Sequence, residues 1–388
     1  MPDAHRFDRI TQDQLRAAGS LKWTLYPDTI GAFVAEMDFG TAPAVTAALQ
    51  QSIEDGLLGY LPPAVSAAMS DACADWQRDA YGWTVDPGRV HPIPDVLKGL
   101  EVAIAHYRQR GGKLILPVPA YMPFLSLPPV IGQQIITVPM ACSDGRYSFD
   151  TAAIDRAFDQ GGELLILCNP YNPVGRVFTA AELAEVCAVV DAHHGRVFAD
   201  EIHAPLIHPG RRHVPYASIS ETAAGHTLTA TSASKAWNLP GLKGAQLIIS
   251  NDADAEIWER VGFFSGHGAA NAGVIAATAA YTSGGDWLAE VLDYLDGNRQ
   301  LLAEAVAAEL PMIRYAPPEG TYIGWLDCRD LALPDGMSAA EFFRQRAGVA
   351  LTDGADCGTP GFVRMIFATP RPILDEAVGR MGAAVRTL

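Results

Sequence analysis

The stretch Glu163–Asp200, ELLILCNPYNPVGRVFTAAELAEVCAVVDAHHGRVFAD, decides how the chain folds. It opens on a continuous apolar run ending at Cys168 and closes on a second run ending at Asp200. Such runs suit strands buried on both faces of a mostly parallel sheet. Between them Thr179 and Glu182 have the spacing of a capping box, a helical pattern follows, and Gly195 predicts its stop. The same alternation runs from about Pro94 to Ser250, with further strands expected at KLILPV (113–118), QQIITVPM (133–140), HTLTATS (226–232) and AQLIIS (245–250). Strands and helices alternating in this way predict a doubly wound α/β sheet.

Beyond it the pattern changes. A long helix is expected over 286–310, then strands at TYIGWLDCR (321–329) and FVRMIFAT (362–369), with helices between and after them. This suits a smaller α+β companion domain. The expected division is an N-terminal segment over 1–45 packing on the small domain, a large domain over 46–283 and a small C-terminal domain over 284–388.

Composition narrows the partners. The chain has 388 residues, 49% of them hydrophobic and 19% charged, so a large core is expected and long disorder is not. A net charge of −16 makes nucleic acid and anionic membrane poor partners. The six cysteines form no C-x-x-C pair, which gives no sign of zinc or of a disulfide framework and suits a reducing, cytoplasmic setting. No apolar stretch reaches the ~18 residues of a membrane span, and no metal site is indicated.

Ligands of α/β sheets bind at the carboxyl ends of strands, so the loops there carry the chemistry. In NPYNPVGRVFT (169–179) two Asn-Pro steps stiffen the backbone around Asn172, either as an ordinary turn or to aim that side chain. In ADEIH (199–203) the strand ends at Asp200, with Glu201 and His203 beyond, either as solvated loop charges or as ligands. His193 and His194, at a helix C-terminus, need no role beyond the dipole. In TATSASKAWNLPGLKGAQ (229–246) Lys235 sits among small hydroxyl residues, and Lys243 follows. A lone lysine is most often a surface residue. A rigid asparagine, an aspartate and a lysine in a hydroxyl pocket, on successive strand-end loops, together fit pyridoxal 5′-phosphate (PLP) with the lysine as its covalent tether.

With these stretches, FVAEMDFGTAPAV (33–45), GLLGYLPP (56–63), YGW (81–83), PAYMPF (119–124), YLDGNR (294–299), GTYIGWLDCR (320–329) and GFVRMIFATPR (361–371) occur in order. Together they resemble the fold-type I PLP enzymes, and within them the cystathionine β-lyase-like C–S lyases of the MalY/PatB group. The resemblance covers nearly the whole chain and implies roles. Lys235 would hold the cofactor and then act as base. Asp200 would pair with the pyridine nitrogen, and Asn172 would bond the ring's 3′-oxygen. His203 stands where many aminotransferases have tyrosine and this group commonly has histidine. Tyr121 would stack on the ring. Ser232, Lys243, the amides of Val96 and Leu97, and Tyr60 would hold the phosphate, Tyr60 coming from the second subunit of a homodimer. Arg364 would grip the substrate carboxylate, for which a planar fork is suited.

Three residues depart from the group's pattern. Asp95 replaces the usual glycine just before the phosphate-binding amides, although it also reads as the N-cap of the next helix. Tyr171 replaces histidine, and Lys243 stands where aminotransferases carry arginine. These bear on substrate identity and cofactor affinity. The implied reaction is β-elimination from an S-substituted L-cysteine such as cystathionine. The alternatives are transamination, a secondary-metabolism reaction on a cysteine S-conjugate by elimination, decarboxylation or deamination, and a regulatory binding protein that keeps the fold.

Overall fold

A computed structural model describes residues 5–108 and 111–388. Its main sheet has seven strands: β1 (Val90–Ile93), β2 (Lys113–Val118), β3 (Ile135–Pro139), β4 (Gly162–Cys168), β5 (Arg196–Asp200), β6 (Thr227–Thr231) and β7 (Ala245–Ile249). Their spatial order is β1-β7-β6-β5-β4-β2-β3. The run from β6 to β3 is parallel, whereas β7 is antiparallel to both β6 and β1. The order reverses between β2 and β4, which makes that crevice the expected ligand position.

The apolar strands are buried on both faces, as their sequence requires. Leu165, Leu167, Val197 and Ala199 face one core cluster, and their neighbours Leu164, Ile166 and Phe198 face another. This is the two-residue alternation of a strand. Truncating one of these leucines to alanine costs about 2–5 kcal/mol.

The helix between β4 and β5 begins at Thr179. Its hydroxyl accepts from the Glu182 amide, and the Glu182 carboxylate accepts from the Thr179 amide. Leu183, Val186, Cys187 and Val190 make its buried stripe. The stop differs from expectation. The helix ends at Ala192, and the left-handed residue is His194 (φ 50°), not Gly195. Gly195 is needed for space instead, because a Cβ there would lie 2.4 Å from the Phe158 ring.

A second sheet gathers β8 (Arg314–Tyr315), β9 (Ile323–Asp327), β10 (Thr352–Asp353) and β11 (Phe362–Ile366) in the order β8-β9-β11-β10, all antiparallel. Long helices over Gly285–Glu309 and Arg371–Val385 pack beside it and share its core. The N-terminal segment joins this side, with Ile30–Gly31 pairing in parallel with Val349–Ala350 and Ile366 N donating to Ala32 O. Lys22 and Trp23 are buried there. Lys22 Nζ donates to Asp38 Oδ2 (2.8 Å) and Trp23 Nε1 to Asp38 Oδ1 (2.8 Å). A buried ion pair of this kind is costly to break singly, because the remaining charge is stranded. No helix among the described residues is long and apolar enough to cross a membrane.

Candidate active site

Cys168 and Asp200 end adjacent strands and are paired in register, and Asp200 is paired in turn with Ala230 of β6. Asp200 is buried. Its Oδ1 accepts from Ile202 N (3.1 Å), and the Cys168 thiol lies 3.7 Å from Oδ2. Burial pushes its pKa up to about 7, only partly relieved by the Ile202 amide and the Cys168 thiol. Among the described residues no cation forms an ion pair with it.

Lys235 lies on the loop after β6, with Nζ donating to the carbonyl of Ala35 (3.1 Å). Burial, then the nearby Arg364 guanidinium, lowers its pKa to about 8. At pH 7 roughly one amine in ten is then neutral, against fewer than one in a thousand for a free lysine.

Arg364 comes from β11 and is buried. Its Nη1 donates to Asn172 Oδ1 (3.2 Å), and its Nη2 to Phe33 O (2.9 Å) and Thr352 Oγ1 (3.3 Å). The Asn172 loop, both of whose Asn–Pro bonds are cis, is thus tied to the second sheet. His203 is buried with its ring edge-on to Tyr322. Burial, then Lys235 and Arg364, lowers its pKa to about 3, so the imidazole is neutral. Tyr121 stands half-buried at the N-cap of the helix Met122–Val130, and burial raises the pKa of its phenol, which stays protonated.

A cavity of about 500 Å³ opens onto Lys235, Arg364 and Tyr121. That is within the ~300–1,000 Å³ of ordinary ligand pockets. Asp200, Asn172 and His203 are set deeper, each at most 5% exposed.

The residues expected around a phosphate form a second, wetter corner. Asp95 is the N-cap of the helix Val96–His106, with Oδ1 accepting from Lys98 N (2.8 Å). Its other oxygen takes an ion pair from Lys243 Nζ at 2.9 Å, both side chains being well exposed. Lys243 itself adopts a left-handed backbone (φ 54°). Ser232 is buried, donates to Gly244 O (2.7 Å) and accepts from Ser234 N (3.0 Å). Val96 and Leu97 open the helix, and the first amides of a helix have no acceptor within it. Tyr60 is 88% exposed, with its ring beside that of His267 (6.0 Å between centroids). Tyr171 is fully buried, with its hydroxyl donating to Pro117 O (2.6 Å).

One part of the site lies outside the residues singled out from the sequence. The segment Phe33–Asp38 crosses the cavity and offers backbone carbonyls. Phe33 O accepts from Arg364 and Thr352, and Ala35 O from Lys235 and the Tyr322 hydroxyl. Asn238 (φ 59°) holds it from below: Oδ1 accepts from Met37 N (2.9 Å), and Nδ2 donates to Met37 O (2.9 Å). The stretch containing this segment carried part of the family resemblance, but a backbone carbonyl leaves no signature in residue type.

The residues present fit PLP. Among the described residues two buried polar atoms facing this region, His203 Nδ1 and Arg364 Nε, have no hydrogen-bond partner, and Asp200 is a buried acid on which the nearby Lys235 acts only weakly. Buried groups of this kind are costly unless something completes them. A pyridinium and a carboxylate-bearing substrate would complete these groups, and Lys235 would offer the amine. Among the described residues no cluster suits a metal ion.

Comparison with known proteins agrees. Residues 30–381 match the family model for aminotransferase class I and II. A cystathionine β-lyase of Corynebacterium glutamicum is 37% identical, over 96% of this chain and 98% of its own. The crystal structure of a Corynebacterium diphtheriae protein assigned as a PLP-dependent β-cystathionase superposes with a TM-score of 0.91 at 38% identity, covering 97% of this chain and 98% of the other. The PLP-bound C–S lyase of Staphylococcus hominis gives 0.89 at 27% identity, covering 98% of both chains. The chain belongs to the aminotransferase class I and II family, and its fold is that of the fold-type I PLP-dependent enzymes.

Proposed function

We propose that this protein is a PLP-dependent carbon–sulfur lyase, cleaving an S-substituted L-cysteine of the cystathionine kind into a thiol, pyruvate and ammonia. The observation that carries the reading is the convergence of Asp200, Asn172 and Arg364 around one half-buried lysine, in a chain 37% identical to a cystathionine β-lyase. When bound, PLP supplies an electrophilic aldehyde for the amino group and a ring that takes up the electron pair released from Cα.

Lys235 would tether the cofactor, and its free Nζ would take the proton from the substrate Cα, a task for which a lowered pKa suits it. Arg364 holds the substrate α-carboxylate in a bidentate fork, with Asn172 and the Phe33 carbonyl fixing the guanidinium plane. Asp200 would pair with the ring nitrogen, a partner cation there favouring its ionised form. Neutral His203 and Asn172 would stand toward the ring oxygen, and Tyr121 would stack on the ring. Ser232, Lys243 and the amides of Val96 and Leu97 hold the phosphate. Tyr60, exposed in the single chain, reaches the phosphate of a second copy, which makes a homodimer the working enzyme. This reading divides the chain at residues 46 and 284. Six unpaired cysteines suit a cytoplasmic setting.

The test is product analysis. Holoenzyme given L-cystathionine is expected to release pyruvate and a thiol in equal amounts over many turnovers. Conversion of the cofactor to its amine form, with no pyruvate, would show an aminotransferase instead.

A further inference from the structure

The cavity that opens onto Lys235 and Arg364 has a charged outer rim whose residues no catalytic role uses. Arg344 projects there from the turn after Phe342, its guanidinium lying over the Tyr26 ring at 5.4 Å from the centroid. Tyr26 meets Phe33 edge-on at 5.3 Å, and the carbonyl of Phe33 accepts from Arg364. Two guanidinium groups are thus linked through one pair of aromatic residues, one at the base of the cavity and one at its mouth. The cation–π contact holds Arg344 without neutralising it.

Three carboxylates, Glu341, Asp353 and Asp356, line the same cavity. Each of the first two spends one oxygen locally, Glu341 on Gln345 Nε2 and Asp353 on the Ala355 amide. A purely apolar leaving group would gain nothing from this rim and would partly desolvate its charges, at a cost. A leaving group that carries both a carboxylate and an ammonium matches it: the planar fork of Arg344 suits the carboxylate, and the acids suit the ammonium.

We infer that Arg344, with Asp353, Asp356 and Glu341, forms a subsite that selects thioethers whose distal end is a zwitterionic α-amino acid. The substrate class is then a bis-amino acid with two carboxylates, the proximal one on Arg364 and the distal one on Arg344. The inference rests on the lyase reading given above and specifies its leaving group.

Steady-state pyruvate release by the holoenzyme on L-cystathionine and on S-ethyl-L-cysteine gives a ratio of kcat/KM. The R344A substitution is expected to lower the cystathionine-to-ethylcysteine ratio about tenfold, since truncating one side of a charge-assisted pair is costly. D356N should lower it less, and R344K should restore part of it, keeping the charge but not the fork. Arg344 and Asp356 are exposed, so these variants should fold. A ratio within about twofold of wild type in both R344A and D356N overturns the subsite. Should the wild-type enzyme release pyruvate from neither compound, the lyase reading itself fails. The subsite is then judged by the rise in melting temperature on ligand addition. A larger rise with L-cystathionine than with S-ethyl-L-cysteine, lost in R344A, supports it, and equal rises overturn it.

Discussion

The two ends of the cofactor site differ in how their charges are managed. At the base, Asp200 and Arg364 are buried and Lys235 is half-buried, and lost solvation is the largest cause of each shifted pKa. At the phosphate corner, Lys243 and Asp95 stand in water and satisfy each other. A buried charge waiting for a partner stores a large free energy that binding can release, whereas an exposed pair exchanges one partner for another at little net change. The base should therefore control reactivity, and the corner should only tune how firmly the cofactor is kept.

Substitutions test that contrast, the largest effect first. Lys235→Ala removes tether and base together, and kcat should fall by ~10³-fold or more. Sustained pyruvate production by that variant would contradict the base as the reacting end. Asp200→Asn should stabilise the cofactor-free chain. The folded pKa of about 7 lies above the unfolded 3.8, so ionisation destabilises the fold as pH rises through that window and fully above it. The gain is on the order of 4 kcal/mol at pH 8 and vanishes toward pH 4. A melting-temperature difference that ignores pH would show that Asp200 is not the strained acid described. Arg364→Ala should cost about 3 kcal/mol in kcat/KM, through capture of the α-carboxylate. Steady-state kinetics decide it, and an unchanged kcat/KM would remove Arg364 from substrate binding. Asp95→Asn keeps the helix cap, since asparagine caps as well as aspartate. It frees Lys243, and the cofactor should bind tighter by less than about 1 kcal/mol. A large change in the PLP dissociation constant, read by absorbance, would mean that the corner matters as much as the base.

Much of this was legible in the residues because the physics acting on it is local. β4 and β5 are continuous apolar runs, and Thr179 with Glu182 is a capping box in sequence and in space. Asp95 reads as an N-cap and is one. Lys235, Asp200 and Asn172 stand out because strand ends mark where ligands lie. What escaped depends on contacts made late and far away. His194 takes the left-handed turn, and Gly195 instead leaves space for Phe158, thirty-seven positions earlier. The carbonyls of Phe33 and Ala35 belong to every residue type, so nothing in the sequence singles them out as the acceptors of Arg364 and Lys235. The Asp95–Lys243 pair joins residues 148 positions apart and was visible only as two separate departures.

The crossing segment at Phe33–Asp38 also has a temporal meaning. It leaves the ribosome early, yet Arg364, 331 residues later, is one of its donors. Contacts of such sequence separation form slowly and only after the loop between them closes. A growing chain therefore carries its nucleophilic amine for over a hundred residues before the guanidinium that would present a substrate to it exists.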